Sequence, residues 1–285
     1  VPVENRIGDE NKGWTVAKYL LGHERTGIAG VARSKRGIER LREVAAGVLA
    51  DDGQPLIKDP DFRRKMAAVA HHADLVIHTT QDARARTEAQ LARLGRTPNG
   101  VVANLGVPVP QTTAPTTNTP YFVTLGTIEP RKNHALLLDV WDRLPAPKPR
   151  LHIIGSRGWN NAKVFARLDA LAPDAAIVEQ HGLTDTQVVE LIAGATAFLF
   201  PSRAEGFGLP PIEAAALGIR VISSDLPVIR ELLGDNAVYL DPTDVYSWME
   251  TIAALAKAPK AENGQIKRFL PPNWADHFKT VLNLA

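Results

Sequence analysis

Downstream of Tyr121 the chain alternates, with a regular beat, between short apolar runs and longer stretches of helical periodicity. The runs lie at 120–126, 151–155, 176–179, 197–200, 221–223 and 238–240; the helical stretches lie at 134–144, 162–171, 184–193, 209–217, near Val228, at 244–257 and at 274–284. Apolar runs this short, without polar alternation, read as strands buried on both faces, and strands alternating with helices imply right-handed crossovers and a parallel sheet. The expected class is α/β, with a Rossmann-like sheet covered by helices on both sides. Local capping signals agree with this layout: Asn133 stands where the 134–144 helix begins, and Thr184 with Gln187 spells a capping box. In such sheets the loops leaving the carboxyl ends of the strands line the crevice where ligands bind.

Those loops carry the chemistry-bearing residues. The stretch 201–219, PSRAEGFGLPPIEAAALGI, follows an apolar run and opens a helix. Pro210 and Pro211 fit only its first turn, and Gly218 closes it. Glu205 then falls on the loop and Glu213 in the early turns of the helix, so two carboxylates can grip hydroxyls of a polyol. The stretch 121–133, YFVTLGTIEPRKN, places Gly126 and Thr127 at a strand end and Arg131 and Lys132 beside a helix start. Free N–H groups and two cations there favour a diphosphate.

Glu205 and Glu213, with seven residues between them, together with the Gly-Thr-x-x-x-Arg-Lys-Asn loop, resemble the signature of the retaining nucleotide-sugar glycosyltransferases of family 4. These are group 1 glycosyltransferases of GT-B fold, mannosyltransferases among them. His152 to Gly155 (HIIG), His181 to Leu183 (HGL) and the Phe-Pro-Ser run before the acidic loop stand in the same order as in that family. The resemblance implies sugar transfer from a nucleoside diphosphate sugar, such as GDP-mannose, to an acceptor hydroxyl with retention. It implies catalytic roles for Arg131, Lys132 and Glu205. Donor binding would fall to Gly126, Thr127, Gly182, Leu183, Gly206, Phe207, Gly208, Leu209 and Glu213, with Glu205 on the sugar, Glu213 on the ribose, and Gly182 and Leu183 near the base. No metal and no cofactor are implied. The implied partners are the nucleotide sugar and a glycan or lipid-linked acceptor, with no nucleic acid. The implied setting is the cytoplasm or the inner face of a membrane.

The N-terminal part departs from this pattern. Residues 1–68 resemble a helical fragment of an acyl-CoA dehydrogenase, lacking that family's flavin-binding strands and catalytic Glu. By periodicity, Val16, Leu20, Ile28, Val31, Ile38, Leu41 and Val48 suggest an amphipathic helical stretch weakened by Gly22, Gly27 and Gly30. A second helix is expected from Pro60 to about Ala70, capped by Asp59. Residues 69–108 return to the glycosyltransferase pattern as the remnant of a GT-B N-terminal domain: a strand at 75–77, a helix capped by Thr80 or Asp82, and a strand at 101–103. Residues 109–119, rich in Thr and Pro, read as a linker, and 120–285 as the nucleotide-sugar domain. The last helix is expected to return to the N-terminal part. Either a join near 65–72 produced a chimera, or the fusion is genuine. Loss of the acceptor half leaves a second function open, a nucleotide-sugar-binding domain without catalysis, and a flavin-dependent dehydrogenase stands third.

Composition narrows the classes further. The 285 residues are 45% hydrophobic, enough for a sizeable core, and 33 basic against 31 acidic residues argue against a general nucleic-acid binder. With no Cys there are no disulfides or thiolate metal sites. Asp59-Pro60-Asp61 spells Asp-x-Asp, and helix capping accounts for it. Neither a membrane span nor a secretory leader is expected from the sequence.

Overall fold

The structure is a computed structural model that describes residues 28–31, 60–109, 119–258 and 269–282. The chain divides into two compact units: residues 1–106 with 205–207 and 272–285, and residues 107–204 with 208–271.

In the first unit, β1 (Ile28–Val31), β2 (Leu75–His78) and β3 (Asn99–Val102) form a sheet in the order β1-β2-β3, with α1 (Pro60–His72), α2 (Gln81–Arg93) and α9 (Trp274–Leu282). β2 and β3 are parallel, as the strand-helix-strand pattern requires, whereas β1 pairs antiparallel with β2. This corrects the expectation of a helix through Ile28 and Val31. Two β-branched residues flank Ala29 and Gly30, and β propensity with a helix-weakening glycine outweighs a loose apolar period. The rest of 1–59, including Asp59, lies outside the described residues, as does 110–118 of the expected linker.

Helix α1 runs past Ala70 to His72, across the boundary expected at 68/69. Met66, Val69, Ala70 and Ala73 share one buried cluster with Val76 and Leu91, so a join at 65–72 falls inside a continuously packed helix. Of the two caps weighed for α2, Thr80 makes the bond, its Oγ1 accepting from Ala83 N at 3.0 Å; Asp82 sits in the first turn. Helix α9 belongs to this unit, with His277 Nδ1 within 3.0 Å of Asn104 O.

The second unit holds β4 (Tyr121–Leu125), α3 (His134–Arg143), β5 (Arg150–Ile154), α4 (Ala162–Asp169), β6 (Ile177–Gln180), α5 (Asp185–Ala193), β7 (Ala197–Phe200), α6 (Leu209–Ala216), β8 (Val221–Ser224), α7 (Pro227–Leu233), β9 (Ala237–Leu240) and α8 (Val245–Lys257). The strands form one parallel sheet in the order β6-β5-β4-β7-β8-β9. Phe122, Leu151, Ile153, Leu199 and Ile222 supply a core against which Leu137, Trp141, Trp248 and Ile252 of α3 and α8 pack. The chain starts at β4, builds outward to β6, then returns to lay β7 on the opposite side of β4. That reversal makes the β4/β7 edge the topological switch point, where a crevice opens beyond the strand ends.

Candidate functional site

The loops on either side of the switch point are 126–133, after β4, and 201–208, after β7. The first is stitched to the neighbouring strand end: Gly126 N donates to Ile154 O at 2.9 Å and Ile128 N to Ser156 O at 2.9 Å. Gly155 has φ +148°, and a Cβ there would meet Gly126 O at 2.1 Å, so only glycine allows the two loops this close. Pro130–Lys132 then makes one turn of 3₁₀ helix ahead of α3.

The adjacent cations of this turn go to different places. Lys132 is 5% exposed, its stem passes over Gly126, and its Nζ lies 5.1 Å from the Phe200 ring centroid. A cation so placed is held at the switch point by packing and by the ring face. Arg131 turns toward the second loop. Its Nε and Nη2 lie 3.0 and 2.9 Å from Glu129 Oε1, Nη1 donates to Ala204 O at 2.9 Å, and Arg203 N donates to Arg131 O at 2.8 Å. Arg131 thus ties Ala204, the residue before Glu205, to the 126–133 loop, and the buried Glu129 holds its guanidinium there. The sequence reading gave Glu129 no role; a lone acid two residues before an Arg across a proline was the available signal.

Asn133 does not cap α3 through its side chain, as expected. It adopts φ +55°, a left-handed conformation Asn tolerates, and its Nδ2 donates instead to Pro242 O at 3.0 Å. The next residue, His134, is almost fully buried with Nδ1 lacking a hydrogen-bond partner. Burial, seconded by the Lys132 charge, pushes its pKa down to about 4, so the ring is neutral.

In the second loop, Gly208 has φ +87° and a Cβ would meet Ile229 Cδ1 at 2.5 Å. It precedes α6 without a side-chain cap, and Pro210 and Pro211 have no N–H. The amides at this helix end without an i−4 partner in the helix are therefore those of Gly208 and Leu209. Glu213, half-buried, is the fifth residue of α6. Glu205, Gly206 and Phe207 are all buried and group with the first unit, where Thr79 Oγ1 donates to Gly206 O at 3.1 Å. Thr127 is exposed beyond β4. Gly182 and Leu183 leave the end of β6, ahead of α5, whose capping box is formed by Thr184 and Gln187. Gly182 has φ +70° with open space where a Cβ would point.

The fold resembles solved GT-B enzymes. Sucrose-phosphate synthase from Thermosynechococcus elongatus superposes with a TM-score of 0.62 at 17% identity, over 85% of this chain and 64% of that one. Anabaena HepE, solved in complex with UDP-glucose, gives 0.59 at 16% identity, over 79% and 67%. By sequence, the chain is 30% identical over 231 residues to the Escherichia coli serotype-specific mannosyltransferase WbdA, covering 71% of this chain and 28% of WbdA. It is 34% identical over 128 residues to the Escherichia coli O-antigen chain mannosyltransferase B, covering 44% of this chain and 34% of that protein. The chain thus spans about a third or less of each of these two curated relatives. The sequence profile of the glycosyl transferases group 1 matches residues 110–268, which hold both switch-point loops, and the chain belongs to that family.

Proposed function

We propose that this chain is the donor-binding part of a retaining family 4 mannosyltransferase that takes mannose from GDP-mannose and passes it to a hydroxyl of a growing surface polysaccharide. The buried Lys132 at the β4/β7 switch point is the observation that carries this reading. As the bond from the anomeric carbon to the phosphate oxygen breaks, its electron pair leaves with the diphosphate. The charge gathering there is met by Lys132 and the Gly208 and Leu209 amides, so these groups act most strongly in the transition state. Glu205 binds sugar hydroxyls, Glu213 the ribose, and Gly206 and Phe207 approach the donor through backbone. Arg131 orders the acidic loop through Ala204. The acceptor hydroxyl attacks from the face the diphosphate leaves and gives its proton to the departing phosphate oxygen, with no covalent sugar intermediate and no metal. The names of the related mannosyltransferases support the choice of sugar.

The departure of residues 1–68 from the glycosyltransferase pattern favours a second reading, a nucleotide-sugar-binding unit without catalysis. Under it the segment 1–68 is a fused acyl-CoA-dehydrogenase-like piece without flavin chemistry, and the purified protein should show no flavin absorption. We place the chain in the cytoplasm or at the inner membrane face; among the described residues no helix is long and apolar enough to cross a membrane.

Calorimetric titration with GDP, UDP and ADP tests the site. Lys132→Ala should weaken the best-bound nucleotide by one to two decades, the equivalent of about 1.5 to 3 kcal/mol for a charge-assisted contact. An unchanged affinity would remove Lys132 from the phosphate site. Turnover of GDP-mannose with an acceptor glycan separates the two readings: transfer supports the enzyme, binding without transfer the bare binding unit.

A further inference from the structure

The carbonyls on either side of Glu205 are both taken by side chains from far along the chain. Arg131 Nη1 donates to Ala204 O at 2.9 Å, and Thr79 Oγ1 donates to Gly206 O at 3.1 Å across 127 positions of sequence. Thr79 stands just beyond β2, and the segment 205–207 belongs to the same compact unit as β2. The bond is dry: Thr79 is 5% exposed, Glu205 7% and Phe207 2%. Of the two adjacent threonines, Thr80 caps α2 through Ala83 N, while Thr79 reaches for the loop. Its own place is fixed. Ala103 N donates to His78 O at 2.9 Å, closing the end of the β2/β3 pair, and Asn104 Nδ2 donates to Thr79 O at 2.8 Å. Asn104 is held in turn by α9, where the buried His277 Nδ1 donates to Asn104 O at 3.0 Å and to Ala103 O at 3.2 Å.

A glycine has the loosest backbone of any residue and no side chain to anchor it, so the peptide after Glu205 keeps its orientation only if its polar groups are tied. A buried carbonyl must be paired in any case, and pairing it with a β-branched side chain, whose χ1 is stiff, turns a satisfied acceptor into a fixed point. We infer that Thr79 is a positioning residue for Glu205: with its hydroxyl on Gly206 O it sets the peptide from which the carboxylate is aimed at the donor sugar, and it touches no substrate itself. This deepens the reading of the chain as a nucleoside diphosphate sugar site and rests on it. The consequence is a division of labour along the donor. The sugar hydroxyls are read by an acid whose aim depends on Thr79, and hydrogen bonds to a carboxylate weaken steeply once their angle is lost. The diphosphate is met by Lys132, which is placed by Gly126 and Phe200. Loss of the Thr79 hydroxyl is therefore felt in the sugar part of the affinity and not in the diphosphate part.

The test titrates GDP and GDP-mannose into the full chain and into Thr79→Val, Thr79→Ala and Thr79→Ser, alongside thermal melts. Valine keeps the shape and loses the hydroxyl. Thr79→Val should lower the affinity for GDP-mannose about three- to tenfold, the worth of one hydrogen bond, while its GDP affinity stays within about twofold of the parent. Thr79→Ser, which keeps the donor, should recover most of the loss. Thr79→Ala removes the same hydroxyl with less bulk, and gives the same contrast even if the valine variant does not fold. An unchanged GDP-mannose affinity in the hydroxyl-free variants overturns the positioning role and leaves the donor site standing. Equal losses for GDP and GDP-mannose also overturn it, since Thr79 would then support the fold alone. If the unmodified chain binds neither ligand, the proposed function falls and this inference with it.

Discussion

Replacing Arg131 by Ala distinguishes a clamp from a phosphate ligand. In the structure the Arg131 side chain is 16% exposed and that of Glu129 only 2%, with Nη2 of the first 2.9 Å from Oε1 of the second. Removing one partner of a buried pair costs about 3 to 5 kcal/mol, because the remaining charge loses its compensation. Arg131 is not fully buried, so the lower end applies, and the lost bond to Ala204 O is part of the same sum. For a chain of this size about 3 kcal/mol lowers the melting temperature by roughly 6 to 12 °C. The assay is urea and thermal unfolding of Arg131→Ala, Glu129→Gln and the double variant. Since the two groups contact each other, the double variant should lose less than the two singles added, by about 1 kcal/mol or more. The result that refutes the clamp is a variant that melts like the parent yet loses GDP affinity by one to two decades.

Two further outcomes concern stability. Gly155→Ala forces a Cβ to within 2.1 Å of Gly126 O at a φ of +148°, which should cost about 3 kcal/mol or more, whereas Gly182→Ala, with φ +70° and open space, should cost about 1 kcal/mol; thermal melts of the pair check the contrast. Acid should destabilise the fold through His134, whose pKa in the folded chain is about 4 against about 6.5 unfolded. Because the folded value is the lower one, its contribution is whole above pH 6.5 and is lost as pH falls toward 4. It amounts to about 3 kcal/mol, and urea unfolding at stepped pH should show the slope flatten in His134→Gln.

The second unit was legible almost element by element, because short apolar runs and amphipathic stretches obey different periods and this sheet is buried on both faces. The capping box at Thr184 could be read for the same reason, as a strictly local device. What failed depends on distant partners. Asn133 looks like a cap in sequence, but its amide goes to Pro242, more than a hundred residues on. Ile28 and Val31 carry a period that admits a helix, and the pairing with β2 that makes them a strand lies far along the chain. Glu129 is silent in the sequence because an acid in a loop has an ordinary explanation until its ion pair with Arg131 and the bond from Arg131 to Ala204 O are in view.

The divergence of Arg131 and Lys132 shows why a pair of cations in a motif cannot be assigned one job. In a 3₁₀ turn successive side chains are about 120° apart around the axis. If Lys132 points back over Gly126 toward Phe200, Arg131 must point elsewhere, and the direction left to it leads to Glu129 and Ala204. Asn133 then stops the turn in a left-handed conformation and lets α3 start on a new course, which fixes that division. On the proposed reading, the charge that meets the departing diphosphate is thus set by packing on the sheet. The acidic loop owes its register to the other cation, so weakening either should be felt at the same donor by different routes.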